Sequence, residues 1–403
     1  MNSSSSVRNS DRTIGSECVD GPLNRATDVQ TGESTQTWSA SDGVLHQSSE
    51  MSAEQRRRFE RMAFEFGQAA ESYNVVMSPG TILKTPCGQG LVSVLKSGRS
   101  WHLPGGLLAP DELQPAFVDW LKRISARQRR TIAVYSVSQH QAEIFRESGF
   151  EVTKLGEVPV LDLGGITWKG REFEWVRRQT NFCLRAGVSV NEITDAAEQQ
   201  RLAPELIDIL NADLSTRTYS RPLSLLEGEF CPRSLGRQRL FLARTLDRIE
   251  GFLVCSPMRG GEAWAFEVYR KRSDAVRGTI PFLFRTVTDR LQEEGRKQVS
   301  LCLVPGRGMH VPSAEGGHRL VRFSLDLLYR RVNFLFNTQG QDYFKSRFRP
   351  RYVDRYVCVT PNSSILSICS FLHVTGAFRP NPINLVRNLA RDIFSGKGRA
   401  AGE

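Results

Sequence analysis

The sequence of 403 residues lacks several features that would assign it to a broad class at once. It has no uninterrupted run of about 18 apolar residues, so no membrane-spanning helix is expected. Its first residues have no apolar stretch after their charges, so no secretory signal is predicted. Its eight cysteines are scattered and form no Cys-x-x-Cys pair, which indicates reduced thiols rather than a disulfide framework. We therefore expect a cytoplasmic protein without a transmembrane segment.

Common catalytic signatures are also missing from the sequence. It contains no Gly-x-x-x-x-Gly-Lys-Ser/Thr phosphate loop, no His-Glu-x-x-His zinc pair and no Gly-x-Ser-x-Gly nucleophile elbow. Its six histidines show no metal-ligand spacing. The sequence therefore predicts no bound metal, and nothing in it points to Ser-His-Asp hydrolysis.

What the sequence does have is an excess of positive charge. It carries 54 lysines and arginines against 43 aspartates and glutamates, a net charge of +11, and its pI is near 9.5. With 40% hydrophobic and 24% charged residues the chain can still bury globular cores, and its length predicts two or three domains. The charge favours a polyanionic partner: a nucleic acid, an anionic membrane or a phosphorylated ligand. A basic but inert surface is the alternative.

Composition and periodicity divide the chain into five segments. A polar start without periodicity predicts disorder, and the capping-box pattern of Ser52 and Gln55 predicts that order begins there. Strands then alternate with helices on both sides of a basic helix, which predicts an α/β (α+β) protein of two similar lobes. The predicted segments are a disordered tail (1–50), a first lobe (51–166), a connecting helix (167–186), a second lobe (187–360) and a C-terminal extension (361–403).

The connecting helix carries a row of cations. Arg171, Arg178 and Arg185 recur every seven residues and so share one helix face, while an apolar stripe lies on another face. Lys169 and Arg177 add to this row, and we predict that all five residues contact phosphates. The alternative is a solvated helix face whose cations pair with neighbouring glutamates.

A second basic cluster lies within residues 343–356, where cations alternate with aromatic residues. Cations interleaved with rings suit contact with phosphates together with bases or ribose, so Arg347 and Arg355 are predicted to bind phosphate. The alternative is an edge strand that exposes its cations and buries its rings.

Three segments carry motifs that are specific in combination. In residues 155–187 an apolar strand ending in Asp-Leu leads through Lys-Gly into the basic helix. In residues 266–284 an arginine and an Asp-Ala-x-x-Gly pattern precede a helix, and in residues 343–357 a Phe-Lys-x-x-Phe-x-Pro pattern precedes Arg-Tyr. Together these segments resemble the C-terminal domain of the phosphatidylglycerol lysyltransferase family. The matching residues are Gly156, Glu157, Asp162, Leu163, Lys169, Gly170, Asn181, Arg270, Asp274, Ala275, Gly278, Phe344, Lys345, Phe348, Pro350, Arg355 and Tyr356.

The resemblance implies a fold, a reaction and a set of site residues. The fold is two tandem GNAT-like (acetyltransferase-like) lobes. The reaction moves lysine, alanine or a similar amino acid from aminoacyl-tRNA, as co-substrate and with no further cofactor, to a hydroxyl of an anionic lipid such as phosphatidylglycerol. Glu267, which stands where the family has an aspartate, is interpreted as a base or as the partner of the amino group, and Arg270 as a phosphate or oxyanion ligand. Lys345 is interpreted as a phosphate ligand and Glu227 as a further acidic group of the catalytic site.

Two other functions stay open on the sequence. One is a GNAT-fold acyltransferase with another donor or acceptor, although the loop before residue 279 supplies an incomplete pyrophosphate site. The other is a non-catalytic relative that binds RNA or membrane. Residues 381–399 have an amphipathic pattern, which predicts peripheral binding to the inner face of the cytoplasmic membrane or, alternatively, a helix packed on the protein.

Overall fold

The computed structural model describes most of the chain beyond residue 50. The described residues are 38, 44–47, 51–77, 80–225, 228, 230, 235–310 and 316–399. Their strands are β1 (Val44–Gln47), β2 (Thr81–Lys84), β3 (Leu91–Ser97), β4 (Ser100–Leu103), β5 (Thr131–Val137), β6 (Glu151–Asp162), β7 (Ser189–Ile193), β8 (Arg239–Arg244), β9 (Ile249–Met258), β10 (Ala263–Lys271), β11 (Gln298–Ser300), β12 (Val304–Pro305) and β13 (Arg351–Thr360). Their α-helices are α1 (Ala53–Phe66), α2 (Asn74–Met77), α3 (Gln114–Gln128), α4 (Gln139–Glu147), α5 (Glu174–Arg185), α6 (Ala196–Ser215), α7 (Thr279–Glu293), α8 (Arg319–Arg331), α9 (Asn333–Phe336), α10 (Thr338–Ser346), α11 (Ile365–Val374) and α12 (Pro382–Arg399).

The strands form one mixed sheet whose two halves repeat a pattern. The order is β1-β2-β3-β4-β5-β13-β6-β11-β10-β9-β8-β7, and β12 also pairs with β6. In the first half an antiparallel β3–β4 pair is followed by parallel β4–β5. In the second half an antiparallel β9–β10 pair is followed by parallel β10–β11. The predicted α/β class with acetyltransferase-like lobes is thereby confirmed.

The two halves exchange their last strands. β6 ends the first half but pairs with β11 of the second, where Val299 lies opposite Leu161. β13 ends the second half but lies between β5 and β6, where Val353 lies opposite Val158. β13 is therefore a central strand rather than an edge strand. Neither predicted lobe segment closes its own sheet, and the predicted domain boundaries stay a prediction.

Helices on the sheet create a separate core for each half. In the first half, α3 buries apolar residues three or four positions apart against β4 and β5, as expected for an amphipathic helix. In the second half, α5 and α7 cover β9, β10 and β11. The largest contributors from α3 are Phe117, Trp120, Leu121 and Ile124. The largest contributors from α7 are Phe282, Leu283, Phe284, Val287 and Leu291.

The N-terminal boundary agrees only in part with the prediction. The predicted capping box is confirmed at α1, because the Ser52 hydroxyl accepts from the Gln55 backbone and the Gln55 side chain accepts from Ser52 N–H. The structure differs from a disordered tail at β1, which pairs with β2, and at Trp38, whose ring packs edge-on against Trp120 with centroids 6.1 Å apart. The remaining residues of the predicted tail lie outside the described residues.

The C-terminal extension forms two helices. The amphipathic pattern predicted over residues 381–399 coincides with α12. The apolar run of residues 365–372 is expected to be buried. In the structure it begins α11 and exposes Ile365 and Leu366 at the surface. α11 is held on the sheet by His102 of β4, whose Nδ1 lies 2.9 Å from Tyr135 Oη and whose Nε2 lies 2.9 Å from Ser370 Oγ.

The buried His102 predicts a pH dependence of stability. Burial lowers the pKa of His102 to about 4, whereas an unfolded histidine has a pKa near 6.5. Between these values the unfolded chain binds more protons, so stability is lost as the pH falls through this window. We expect His102 to account for a loss of about 2 kcal/mol in the free energy of unfolding between pH 7 and pH 5.

Urea unfolding of the wild type and of His102→Gln at both pH values measures this contribution. Glutamine can still hydrogen bond but does not titrate, so the variant should show a smaller loss on acidification. An equal pH dependence in the two proteins would contradict the assignment to His102.

Candidate functional site

The candidate site begins where a turn of the first half meets the sheet of the second. Residues Ala70–Tyr73 form a short 3-10 turn that lies against β9 and β10. The apolar contacts are made by Ala70, Met258, Ala263 and Ala265. The turn brings Glu71 and Tyr73 within electrostatic reach of groups in the second half, including Glu267.

Glu267 occupies a β-bulge in β10. The register with β9 shifts between Phe266 and Val268, so Glu267 is the extra residue of the strand. Its carboxylate accepts a short hydrogen bond from the Ser256 hydroxyl and a second bond, 3.3 Å long, from Gln238 Nε2. Two donors therefore orient this carboxylate beside the 70–73 turn.

Lys345 is buried near the end of α10, with 2% of its surface exposed. Its Nζ donates hydrogen bonds of 3.1 and 3.4 Å to the carbonyl oxygens of Cys302 and Leu303, which follow β11. Burial raises the pKa of the Cys302 thiol, and the charges of Lys345, Glu71 and Glu267 all act on it. The ammonium group and the two carboxylates therefore all lie within electrostatic reach of Cys302.

Arg355 of β13 completes this group from the first half of the sheet. It is buried, and its Nη2 donates a 2.9 Å hydrogen bond to the Gln68 carbonyl oxygen. Ser136 acts to lower the pKa of the Glu71 carboxyl group. Lys345 and Arg355 are buried, and Glu71, Glu267 and Cys302 beside them are half-buried. We call these five residues the buried cluster.

The charges of the buried cluster compensate one another. Burial raises the pKa of Glu71, while the nearby cations Arg355 and Lys345 act to lower it. Burial lowers the pKa of Lys345, and it lowers that of Arg355 to about 10, while the Glu71 carboxylate acts to raise both. Charged groups that share a low-dielectric site in this way are typical of functional centres, although structural networks also produce such shifts.

Arg270 lies three residues beyond Glu267 on β10 and is also buried. Its Nε lies 3.2 Å from Asp213 Oδ2 of α6, and its Nη1 donates to the Tyr269 carbonyl oxygen at 2.8 Å. This guanidinium is therefore fixed from the α6 side of the strand. Glu227, the other predicted catalytic residue, lies outside the described residues.

A surface groove of about 540 Å³ joins the two basic clusters predicted from the sequence. Its cations come from the start of α5 and from the segment after α10. We call this the arginine groove. Its basic and aromatic members are Arg171, Trp175, Arg178, Arg347 and Arg349, and Glu172 and Glu174 also line it. The Arg347 guanidinium lies over the Trp175 ring, 5.2 Å from its centroid, which is a cation–π geometry.

Two cations of the arginine groove are available to a ligand. Within the described part of the chain, Arg171 and Arg178 make neither an ion pair nor a side-chain hydrogen bond, although two glutamates are close in sequence. The same holds for the exposed Lys169 and for Arg185 at the far end of α5. In the described residues the neighbouring glutamates therefore do not pair with Arg171 and Arg178, contrary to the alternative of a neutralised helix face.

The other predicted phosphate ligands have different surroundings. Arg177 is half-buried, and its Nη1 donates to the carbonyl oxygens of Trp168 and Gly170, each at 2.7 Å. It therefore holds the loop before α5. Arg355 lies in the buried cluster instead of the arginine groove.

Sequence reasoning missed Glu71, Cys302 and the partner of Arg270, Asp213. No local motif marks them, because each reaches the site through strand pairing or helix packing between distant parts of the chain. Within the described residues, no group of three His, Cys, Asp or Glu side chains is arranged to hold a metal ion.

The fold and the site together define a GNAT-like protein, with a cluster of charged side chains at the junction of two lobes that exchange strands. Residues 61–359 match the family described as phosphatidylglycerol lysyltransferase, C-terminal, and the chain belongs to this family.

Individual relatives are distant. The chain is 22% identical over 243 residues, 60% of its length, to a phosphatidylglycerol lysyltransferase of Bacillus subtilis (strain 168), and the match spans 28% of that protein. L-PGS from Bacillus licheniformis is 16% identical with a TM-score of 0.67, covering 81% of this chain and 97% of that one. The C-terminal domain of a candidate lysylphosphatidylglycerol synthetase from Agrobacterium fabrum is 19% identical with a TM-score of 0.65, covering 82% and 98%. These structural similarities support the fold described above.

The neighbouring Arg177 and Arg178 provide a matched test of the site. Arg177→Ala removes two charge-assisted hydrogen bonds to carbonyl groups, so we expect it to lower the free energy of unfolding by about 2 kcal/mol. Arg178→Ala removes an exposed cation, so we expect a change within about 0.5 kcal/mol. Urea unfolding of both variants measures this difference. A larger loss for Arg178→Ala than for Arg177→Ala would contradict the assignment.

Proposed function

We propose that the protein moves an amino acid, lysine, alanine or a similar one, from aminoacyl-tRNA to a hydroxyl of an anionic phospholipid such as phosphatidylglycerol. The proposal follows from family membership. The observation that carries it is the position of the arginine groove next to the buried cluster. α10 connects the two, because Lys345 lies in the cluster and Arg347, two residues later, lies in the groove.

The arginine groove supports a nucleic-acid donor. Exposed guanidinium groups without protein partners suit a phosphate backbone, and the half-buried Trp175–Arg347 pair suits the edge of a base or a ribose. Lys169 and Arg185 extend the positive surface along α5. We propose that the acceptor end of tRNA lies in this groove, with its aminoacyl group directed toward the buried cluster.

The buried cluster supports ester transfer. In this reaction the lipid hydroxyl oxygen attacks the aminoacyl carbonyl carbon, and a new carbon–oxygen ester bond forms. The bond from that carbon to the tRNA ribose oxygen breaks, and the hydroxyl proton ends on the ribose oxygen. We propose that Glu267 holds the amino group, that Lys345 stabilises the oxyanion or a phosphate, and that Arg270 contributes positive charge from the α6 side.

The loop before α7 argues against coenzyme A as the donor. Acetyl-CoA enzymes of this fold bind pyrophosphate at the N-terminus of the corresponding helix. Here the Val276 amide already donates to the buried Glu250 carboxylate at 2.9 Å, and Arg272 pairs with Glu205 at 2.7 Å. Gly278 also lies close to α5, because a Cβ at this position would come within 2.6 Å of the Gln179 carbonyl oxygen. We therefore propose aminoacyl-tRNA as the co-substrate, without a further cofactor.

The acceptor lipid has to be reached at a membrane surface. Among the helices of the described residues, none combines the length and the apolar character needed to cross a bilayer. We propose peripheral association with the inner face of the cytoplasmic membrane.

A lipid-extraction assay tests the proposed function and the role of Lys345. Full-length protein is incubated with phosphatidylglycerol vesicles and total tRNA charged with radiolabelled amino acids, with and without RNase. We expect RNase-sensitive label in the lipid phase. Lys345→Met keeps the volume of the side chain but removes its charge, so we expect at least a hundredfold loss of transfer. Tight tRNA binding by this variant should persist within about twofold, because Lys345 lies outside the groove.

Two controls accompany the Lys345 variant. Lys271→Met changes an exposed lysine on β10 and should transfer label like the wild type. Thermal unfolding of each protein shows whether it is folded. Label that stays in tRNA for the folded wild type with every anionic lipid tested would contradict the function, and full activity of both Lys345→Met and Glu267→Gln would contradict the site.

The groove assignment predicts a salt-dependent change in tRNA affinity. Each phosphate contact contributes about 0.7 to 0.9 to the slope of log affinity against log salt concentration. Arg171→Ala and Arg178→Ala should each lower the affinity for tRNA and reduce this slope by about one contact. Arg201→Ala on α6, which removes another exposed arginine, is the control. Filter binding over a range of salt concentrations measures the effect, and unchanged slopes for both groove variants would rule the groove out.

A further inference from the structure

Exposed apolar side chains are concentrated on the helices that follow residue 318. Of the twelve large hydrophobic residues exposed in the described part of the chain, eight lie on or beside α8, α11 and α12. The eight are Phe323, Leu327, Ile365, Leu366, Phe378, Ile383, Val386 and Leu389. Leu366 is 81% exposed and Ile383 is 78% exposed, so neither is covered by the protein itself. We call the surface formed by these residues the apolar face.

α12 is attached to the protein by its polar residues. Asn384 is buried, and its Nδ2 donates to the carbonyl oxygens of Ser215 and Arg217 at 2.7 and 2.8 Å. Asn388 Nδ2 donates to Thr218 Oγ1 at 2.9 Å. An amphipathic helix that packs on a globular protein normally buries its apolar stripe. Here the polar side is held down, and the apolar side is left for another partner.

α8 and α11 pack on the same face of the sheet. Tyr135 of β5 stacks on Phe371 of α11 with ring centroids 5.0 Å apart. Tyr135 also borders the cluster in which Val321 and Leu325 of α8 contact the sheet. Because both helices cover one face, their outer sides, with Phe323 on α8 and Leu366 on α11, point away from the same side of the sheet.

The charge around the apolar face is positive. α8 carries four arginines and one aspartate, and Asp326 is already paired with Arg330 at 3.0 Å. Residues 361–399 contain five lysines and arginines and one aspartate. Arg331 and Arg379 are exposed at the surface. Apolar side chains bordered by cations are complementary to a bilayer with anionic headgroups. The apolar side chains enter the boundary of the acyl chains, and the cations contact the headgroup phosphates.

We infer that the apolar face formed by α8, α11 and α12 docks on an anionic phospholipid bilayer. This inference rests on the proposed function, because it names the surface through which the proposed enzyme would reach its lipid. The path to the buried cluster is short. Tyr329 of α8 donates to Asp342 of α10 with an Oη–Oδ2 distance of 2.7 Å, and Lys345 follows on the same helix.

Vesicle co-sedimentation of the full-length protein without tRNA tests this docking independently of catalysis. We expect binding to vesicles of phosphatidylglycerol with phosphatidylcholine, and weaker binding to phosphatidylcholine alone. Ile383→Ser combined with Val386→Ser, and separately Leu366→Ser, should lower vesicle partitioning at least tenfold. These side chains are exposed, so the variants should unfold at the wild-type temperature. Leu246→Ser is the matched control, because Leu246 is 104% exposed but lies in the turn between β8 and β9.

Two further measurements complete the test: vesicle binding by variants that lack surface cations, and the oligomeric state of the protein. Arg331→Ser combined with Arg379→Ser should lower binding to phosphatidylglycerol vesicles and flatten its salt dependence. Wild-type partitioning by all apolar-face variants, or an equal loss with Leu246→Ser, would overturn the inference. The inference would also be overturned if sedimentation velocity showed that the wild type is a dimer and that the apolar-face variants are monomers, because the face would then be a contact between two copies of the chain. Vesicle binding without lipid labelling would refute the proposed function but leave the docking surface standing.

Discussion

Each half of the sheet is completed by a strand that the other half supplies, and the candidate site depends on this exchange. β13 leaves the second half to lie between β5 and β6, so the segment before it has to cross the junction. This path brings Lys345 to the Cys302 carbonyl group and Arg355 to the Gln68 carbonyl group. If each half were closed by its own last strand, Arg355 would lie beside β11, away from Glu71. The exchange therefore assembles the buried cluster as well as the sheet.

Glu71, Lys345 and Arg355 of the buried cluster lie near charges of opposite sign, which oppose the effect of burial on their pKa values. An isolated ion in a protein interior is strongly unfavourable and would shift its pKa until it became neutral. Glu71 opposes the loss of the protons on Lys345 and Arg355, and these cations oppose the protonation of Glu71. Such an arrangement is pre-organised to meet a change of charge during reaction, because its dipoles need little reorganisation.

Features decided by neighbouring residues could be predicted from the sequence, whereas features decided by long-range packing could not. The Ser52 capping box depends on one helical turn, and the row of cations on α5 depends on spacing alone. The spacing places Arg178 in that row and adds Arg177 beside it, yet Arg177 bonds to the loop at Trp168 whereas Arg178 stays open to a ligand. Glu71 gave no sequence signal, because it meets Lys345 only after strands far apart in the chain have paired.

α10 connects the buried cluster with the arginine groove and with α8 of the apolar face. Asp342 on this helix accepts from Tyr329 of α8, Lys345 points into the buried cluster, and Arg347 follows in the arginine groove. The six residues from Asp342 to Arg347 span about 8 Å at the rise of a helix. In the proposed ester transfer the reacting groups must approach to about 3 Å, so the proposed donor and acceptor have to meet within a short distance. α10 contacts α8 through Asp342 and leads into the arginine groove at Arg347, so both contacts lie within about one helical turn of Lys345.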